Sequence, residues 1–302
     1  GGGGSDDNRN YKGGNGGSGQ VVISYSTLTI ITTYNGTTWD YGTGLSKTGI
    51  IAGSGAITTD TELCSCTVNA GVVTTVNTGI TLKLQDKLTV AGTGTLTFEN
   101  NASLVQINNT AINTEKIYYK RHTTAVRRYD YTYWSSPVQP QTMIALSPNT
   151  LSDKFWSFDS DANDWVLSDG GGATMEPANG YSIRAPQGFD IVTPAIDTAP
   201  TFFGVPNNGN YSFPSTATAA NNKSYLLGNP YPSALDADAF LSNNSGVLDG
   251  TLYFWTHNSN VTPVGAFYEY SDNDYAAFNL TGGTGTAAAL NTGVNNSIPS
   301  GK

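Results

Sequence analysis

Residues 64–107 read CSCTVNAGVVTTVNTGITLKLQDKLTVAGTGTLTFENNASLVQI, and their pattern predicts how this part of the chain folds. Short segments rich in valine, threonine, leucine and isoleucine alternate in it with polar corners. β-Branched residues favour a pleated, half-buried surface, whereas glycine and asparagine adopt the positive φ that tight corners require. Strands this short cannot each bury the face of a sheet alone, so we expect them to stack as the coils of a short β-solenoid. The predicted corners are Asn69–Gly71, Asn77–Gly79, Gln85–Asp86, Ala91–Gly94 and Glu99–Asn101.

A single internal repeat supports the coiling. The tripeptide CTV at 66–68 is echoed by LTV at 88–90, about one coil later, and the stretch holds no third copy. Because one echo does not fix the direction of the strands, a twisted antiparallel meander is the alternative fold for this region.

The composition extends the all-β prediction to the whole chain. Only 12% of the 302 residues are charged, and no segment longer than about 12 residues has the apolar period of a helix. We therefore predict an all-β protein in which a short β-solenoid-like region precedes a β-sandwich-like module. The predicted bounds are 1–20 for a glycine-rich flexible lead-in, 21–115 for the solenoid-like region and 116–302 for the module.

Two local signals refine this outline. The Asn-Gly pair at 35–36 predicts a hairpin turn, and we expect Trp39 and Tyr41 behind it to cover one end of the solenoid. The one predicted helix runs over 234–241, with Ser233 as its N-cap.

Charge and motif content argue against several classes of function. The net charge of −9 repels nucleic acid. The chain has no run of 18 apolar residues, so no membrane span is predicted. The chain has no phosphate loop, dinucleotide fingerprint or zinc signature, so we predict no cofactor and no metal. Its acidic residues fall at turns and helix caps, where structure explains them. We therefore predict a protein that is not an enzyme and has no catalytic residues.

Cys64 and Cys66 are the only cysteines. On a regular strand both side chains point to the same face, with their Cα atoms about 6.5–7 Å apart, at the far edge of disulfide geometry. The spacing favours two reduced thiols over a strained disulfide, which is the alternative.

Two further patterns each allow a structural and a binding interpretation. Residues 116–128 hold five of the 14 basic residues, either as a patch for an anionic glycan or acidic partner or, as we favour, as a charged sheet edge. Tyr129, Tyr131 and Tyr133 share one face of a strand, where core packing is favoured over sugar stacking. The candidate glycan-stacking residues are Trp134, Tyr231 and Trp255.

Several phrases of the second half resemble a module found in large exported proteins of Flavobacterium-like Bacteroidota, and residues 64–107 are similar to the region that usually precedes that module. These phrases are YDYTYWSSPV at 129–138, LSDKFWSFDSDANDW at 151–165, GYSIRAP at 180–186, GNPYPSALDADAFL at 228–241 and DGTLYFWTHN at 249–258. The resemblance implies export by the type IX secretion system and a location outside the cell or on its outer surface. It also implies that Thr198, in the segment Asp197–Ala199, is a candidate O-glycosylation site.

The chain departs from this family in lacking a C-terminal sorting domain and a further apolar strand after residue 301. We therefore expect the module to be incomplete at its C-terminal end. A strand from outside 1–302, donated by a neighbouring copy or by the same polypeptide, is expected to fill the gap.

The functional expectation is a non-catalytic, secreted cell-surface structural or adhesive protein, part of a surface fibre or a large adhesin. The alternative is a glycan-binding accessory module of a secreted polysaccharide-degrading enzyme. The expected partners are other copies of the chain, a surface glycan and the export machinery.

Overall fold

The computed structural model describes residues 29–213, 223–265, 267–284 and 297–302, and the predicted lead-in at 1–20 lies outside them. The described chain is almost entirely β, and its first part is a β-solenoid of about four turns. Both predictions are thereby confirmed. No helix in these ranges is both long enough and apolar enough to cross a membrane.

From residue 29 onward, where the described chain begins, the solenoid contains ten strands: β1 (Ile30–Tyr34), β2 (Gly44–Ile51), β3 (Gly55–Ile57), β4 (Thr61–Val68), β5 (Val73–Val76), β6 (Thr81–Leu84), β7 (Leu88–Val90), β8 (Thr95–Phe98), β9 (Ser103–Gln106) and β10 (Ile117–Lys120). They build two sheets, one in the order β1-β2-β4-β6-β9 with β7 also on β4, the other containing β3-β5-β8-β10. All pairings among these ten strands are parallel. The antiparallel meander is therefore wrong for this region.

Successive coils place apolar side chains in register above one another. Ile57 pairs with Val76, Val76 with Phe98, and Phe98 with Tyr119, so the coils advance by 19, 22 and 21 residues (57 to 76, 76 to 98, 98 to 119). All four side chains are buried. The predicted echo lies in this register as well, since 66–68 pairs directly with 88–90.

At four of the five predicted corners the coils turn through one repeated hydrogen bond, from a backbone N–H to the carbonyl three residues earlier. These bonds join Val72 to Asn69, Ile80 to Asn77, Gly94 to Ala91 and Ala102 to Glu99. Gly71, Gly79, Gly92 and Asn101 have positive φ, as the sequence predicts.

The hairpin predicted at 35–36 closes the N-terminal end of the solenoid. A Cβ atom on Gly53 would lie 1.9 Å from the carbonyl oxygen of Asn35, so only glycine allows this close approach. Trp39 packs against the core as predicted. The prediction for Tyr41 is wrong, because its side chain is 68% exposed.

The second part consists of short strands and two helices. The strands are β11 (Ala125–Val126), β12 (Tyr131–Trp134), β13 (Val138–Gln139), β14 (Phe155–Asp159), β15 (Asp164–Leu167), β16 (Tyr181–Arg184), β17 (Ala195–Ile196), β18 (Thr201–Pro206), β19 (Leu235–Asp236), β20 (Thr251–Trp255), β21 (Thr262–Val264), β22 (Phe267–Glu269), β23 (Tyr275–Asn279), β24 (Gly282–Thr284) and β25 (Ser297–Ile298). The helices are α1 (Met143–Leu146) and α2 (Ala237–Asn243).

These strands form a four-stranded sheet β12-β16-β14-β15, a three-stranded sheet β20-β23-β24 and the strand pairs β11-β17, β19-β25 and β21-β22. All pairings within the module are antiparallel. The helix prediction is wrong in its start and its cap. The helix begins at Ala237, because the Asp236 side chain accepts a hydrogen bond from the N–H of Ala239 and thereby acts as the N-cap in place of Ser233.

Strand β18 joins the two parts. It pairs antiparallel with β10, the last rung of the solenoid, and with β13 of the module. Its inward residue Phe202 is fully buried and meets Trp134 edge-on, with ring centroids 5.9 Å apart. One hydrophobic core therefore runs through both parts. The predicted boundary between 115 and 116 falls one strand before the solenoid ends.

The last residues of the chain are embedded in the module. The Ser135 N–H donates to the carbonyl of Gly301, and the Asn229 N–H donates to that of Lys302. Ser300 is buried. Residues 297–302 are therefore part of the packing of the module, and the gap predicted at its C-terminal end falls partly outside the described residues.

Candidate functional site

An aromatic cluster lies between the four-stranded and three-stranded sheets of the module. Strand β12 starts it, because alternation turns Tyr131 and Tyr133 toward one side and Thr132 and Trp134 toward the other. Trp134 is 3% exposed and belongs to the core. The two tyrosines face the opposite way. Tyr131 meets Tyr270, which follows β22, and Tyr133 meets aromatic side chains from β15, β20 and β23.

We call the following side chains the aromatic cluster: Tyr129, Tyr131, Tyr133, Trp165, Trp255, Tyr268, Tyr270 and Tyr275. The ring centroids of Tyr129 and Tyr268 are 4.3 Å apart, and those of Tyr133 and Trp255 are 6.0 Å apart, both in stacked geometry. These ring faces are occupied by one another. The favoured interpretation of the tyrosine stripe, packing with polar rims, matches this arrangement.

Hydrogen bonds fix the cluster. The Tyr133 and Tyr275 hydroxyl oxygens lie 2.7 Å apart, and the Trp255 Nε1–H donates to the Tyr131 carbonyl at 2.9 Å. The Tyr270 hydroxyl donates to the Tyr129 carbonyl at 2.8 Å. Burial raises the pKa of the Tyr133 hydroxyl well above its usual value, and the neighbouring Tyr275 adds to the rise. The Tyr133 hydroxyl therefore stays protonated at neutral pH.

The three predicted glycan-stacking residues do not form one platform. Trp134 is wrong for this role, because it is buried and the Lys302 ammonium lies 3.7 Å from its ring centroid. Tyr231 is half-buried and donates its hydroxyl to the Gly209 carbonyl. Trp255 is half-buried within the aromatic cluster.

The aromatic rings that are more than one-third exposed were missed. Within the cluster they are Trp165, Tyr268, Tyr270 and Tyr275. Tyr268 and Tyr270 alternate with Glu269 in the sequence, a period-two signal that could have identified them as neighbours on one face.

Most side chains of the basic segment are bound within the chain. Four of its five side chains bind groups of this chain: Lys120 binds Glu99, Arg121 binds Asn101, Arg127 binds Asp130, and Arg128 binds the carbonyl of Phe189. Lys116 is exposed and has no acidic partner within 4.0 Å in the part of the chain that the structure describes. Its ammonium lies 4.9 Å from the ring centroid of Phe203.

The cysteines are not bonded and do not share a face. Both are free thiols, so the candidate disulfide is absent. Cys66 is buried and Cys64 is half-buried, because the pairing of β2 with β4 is irregular between Leu63 and Ser65. The sequence argument assumed a regular strand and is wrong on this point.

His257 is the buried group closest to a catalytic arrangement. Its Nε2 lies 3.2 Å from the Thr124 hydroxyl oxygen, a spacing found in nucleophile–base pairs. Its Nδ1 has no hydrogen-bond partner among the described residues, whereas a triad requires a third group there. Burial lowers the pKa of the ring to about 4, with Lys302 and Arg127 adding to the effect, so His257 is a weak base at neutral pH.

Two other kinds of site, a metal site and a modification site, were considered in the sequence. Across the described ranges, no group of three or more His, Cys, Asp or Glu residues could hold a metal ion. Thr198 is exposed between β17 and β18, where a modifying enzyme could reach it. The preceding Asp197 carboxylate accepts a hydrogen bond from the N–H of Ala199 and fixes this turn.

Comparisons with known proteins place the chain in a family. No curated protein and no solved structure matches it. A family described as a domain of unknown function (DUF8693) matches residues 46–302, which covers most of the solenoid and the whole module. The chain therefore belongs to the DUF8693 family.

Proposed function

We propose that this protein is a non-catalytic, secreted cell-surface structural or adhesive protein, located outside the cell or on its outer surface. The observation that carries the proposal is the joint at β18, where the solenoid sheet continues directly into the module. A spacer that holds a binding module away from a surface must transmit load without a hinge. A continuous sheet and a shared core supply that stiffness.

The composition and the aromatic cluster support the same proposal. Low charge density and many short strands suit a chain that works outside the cell, and the resemblance to exported Bacteroidota proteins suggests the type IX secretion route. The aromatic cluster joins β20 and β23 of the three-stranded sheet to β12 of the four-stranded sheet, which ties the C-terminal strands into the module.

The test uses the organism that encodes the protein. We expect externally added protease to degrade the protein in intact cells, and in-frame deletion of the gene to reduce attachment of the cells to surfaces or to one another. Complementation with the intact gene should restore attachment. A protein that resists protease until the cells are lysed, or a deletion strain that attaches normally, would contradict the proposal.

A glycan-binding accessory module is the second candidate. It is favoured by the exposed rings at the edge of the aromatic cluster, of which Tyr268 is 43% and Trp165 37% exposed. Such rings leave part of their apolar surface open to solvent, where a sugar ring could pack. Retention of the purified chain on insoluble polysaccharide, lost in the double variant Trp165→Ala, Tyr268→Ala, would favour this candidate.

We also propose that copies of the chain associate by adding a strand to an exposed sheet edge. Among the described strands, β15 is an edge of the four-stranded sheet, and its four residues are all exposed, including Trp165, Val166 and Leu167. An exposed apolar edge recruits a strand from another copy. Light scattering of the purified chain should show concentration-dependent oligomers that Val166→Lys abolishes. A monomer at all concentrations would exclude this mode of assembly.

A further inference from the structure

A cleft on the outer face of the solenoid joint is separate from the aromatic cluster. It has a volume of about 260 Å³ and lies between β18, the start of β10 and the segment that leads into α1. Pockets for drug-sized ligands measure about 300–1,000 Å³, so this cleft suits a ligand the size of a single sugar ring. Its main lining residues are Lys116, Pro140, Gln141, Thr142, Thr201 and Phe203.

Strand alternation supplies an aromatic wall beside the cleft. Phe203 on β18 opposes Tyr118 on β10 in the antiparallel register, while their neighbours Phe202 and Tyr119 point into the core. The two outward rings stack with centroids 4.5 Å apart and planes at 26°. Tyr118 is 40% and Phe203 41% exposed. An aromatic pair left open to solvent offers the negative ring face that attracts the weakly positive C–H bonds of a sugar.

The hydrogen-bonding capacity of the cleft can be counted. Gln141 is buried and held at both ends of its amide, because its Oε1 accepts from the N–H of Phe203 and its Nε2 donates to the carbonyl of Thr142. The Thr142 hydroxyl accepts from the N–H of Ala145, which leaves its own O–H free to donate. The Thr201 hydroxyl donates to the carbonyl of Ala199, which leaves its lone pairs free to accept. The two threonine hydroxyls thus leave at least one donor and one acceptor for a ligand.

Lys116 sets the charge of the ligand. The other four bases of 116–128 are bound to groups of this chain, whereas the Lys116 ammonium stands over the Phe203 ring at 4.9 Å. A carboxylate on the ligand would draw this flexible ammonium off the ring and leave room there for the sugar that carries it. A neutral sugar would leave this charge unused.

We propose that this cleft binds one uronic acid residue of an acidic polysaccharide, with the sugar ring on Phe203 and its carboxylate on Lys116. The proposal names a ligand class for the adhesive function proposed above. Its biological role rests on that function, whereas the binding itself does not. Binding is non-covalent, so the purified chain suffices for the test.

The experiment is titration calorimetry of the full chain with a galacturonic acid oligosaccharide and with a neutral glucose oligosaccharide of equal length. We expect the acidic sugar to bind at least about tenfold more tightly, which corresponds to about 1.4 kcal/mol. Phe203→Leu keeps the apolar volume but removes the flat ring, and should weaken binding of the acidic sugar about tenfold. Lys116→Gln should remove the preference for the acidic sugar. Tyr253→Ala, at an exposed ring outside the cleft, is the matched control and should bind as the parent does.

Thermal unfolding shows that each variant is folded before it is titrated. The proposal is overturned if the folded parent binds neither sugar, if Phe203→Leu binds as tightly as the parent, or if Lys116→Gln weakens both sugars equally. If the acidic sugar binds but deletion of the gene leaves attachment unchanged, the adhesive function is refuted and the uronic acid site stands. If deletion reduces attachment but no sugar binds in the cleft, the uronic acid site is refuted and the adhesive function stands.

Discussion

Truncation of Phe202 tests whether the solenoid and the module unfold as one unit. Phe202 is fully buried on β18, in edge contact with Trp134 across the joint. Phe202→Ala removes the ring and leaves a cavity between a solenoid strand and a module strand. Such substitutions in a core cost about 3–5 kcal/mol of unfolding free energy.

The neighbouring residue provides the matched control. Phe203 lies on the same strand but points outward, with its ring in the solvent-facing pair with Tyr118. Phe203→Ala removes the same atoms from the opposite face of β18, so it should cost less than about 1 kcal/mol. The two variants share composition and backbone pairing and differ in which face of the strand loses its ring.

Urea unfolding followed by tryptophan fluorescence and by far-ultraviolet circular dichroism measures both effects. Trp39 reports on the N-terminal end of the solenoid and Trp134 on the joint. We expect one transition with coincident probes in the parent and a lower midpoint with unchanged slope in Phe202→Ala. Two separate transitions in the parent, or an equal loss of stability in both variants, would refute the shared core.

Three further predictions concern titration, thiol reactivity and modification. The pKa of His257 is lowered to about 4 in the folded chain from its ordinary 6.5, so the unfolded chain binds more protons between these values. Stability should therefore fall by about 3 kcal/mol as the pH drops through this window, and His257→Asn, which tolerates the positive φ of 41° there, should remove that loss. Burial raises the pKa of the Cys66 thiol to about 12, so iodoacetamide should alkylate Cys64 at least about tenfold faster in the native chain, and equal rates would contradict the assigned burial. Thr198 should carry an O-glycan in protein recovered from its native host, and an unmodified peptide mass would exclude it.

The solenoid could be predicted because its signals are local, but its repeat could not be followed along the chain. The tripeptide repeated at 66–68 and 88–90 does not extend to the preceding coil. There Gly49 lies beside Cys66 in the strand pairing. A Cβ atom there would lie 2.4 Å from Leu63 Cδ1 and 3.2 Å from the Trp39 ring. The capping tryptophan thus fills the space that a side chain fills in later coils, and no local pattern reveals it.

The candidate sites depended on distant pairings that periodicity does not contain. Alternation correctly placed Tyr131 and Tyr133 on one face, but their partners Tyr270 and Tyr275 come more than 130 residues later in the chain. The same limit applied to Trp134. Its aromatic neighbours on β12 suggested a binding surface, whereas β18 covers it and turns it into core. Which face of a strand is buried is decided by its partner strands.

The two faces of β18 connect the architecture to the proposed function. Phe202 locks the strand into the shared core, and Phe203, one residue later, opens onto the cleft on the outside. A ligand held by Phe203 would therefore pull on a strand that is hydrogen-bonded along its length to the last rung of the solenoid. Load entering at the cleft would pass into parallel coils through backbone hydrogen bonds, without crossing a loop. In an adhesive protein this placement lets the contact with a polysaccharide be as rigid as the spacer that carries it.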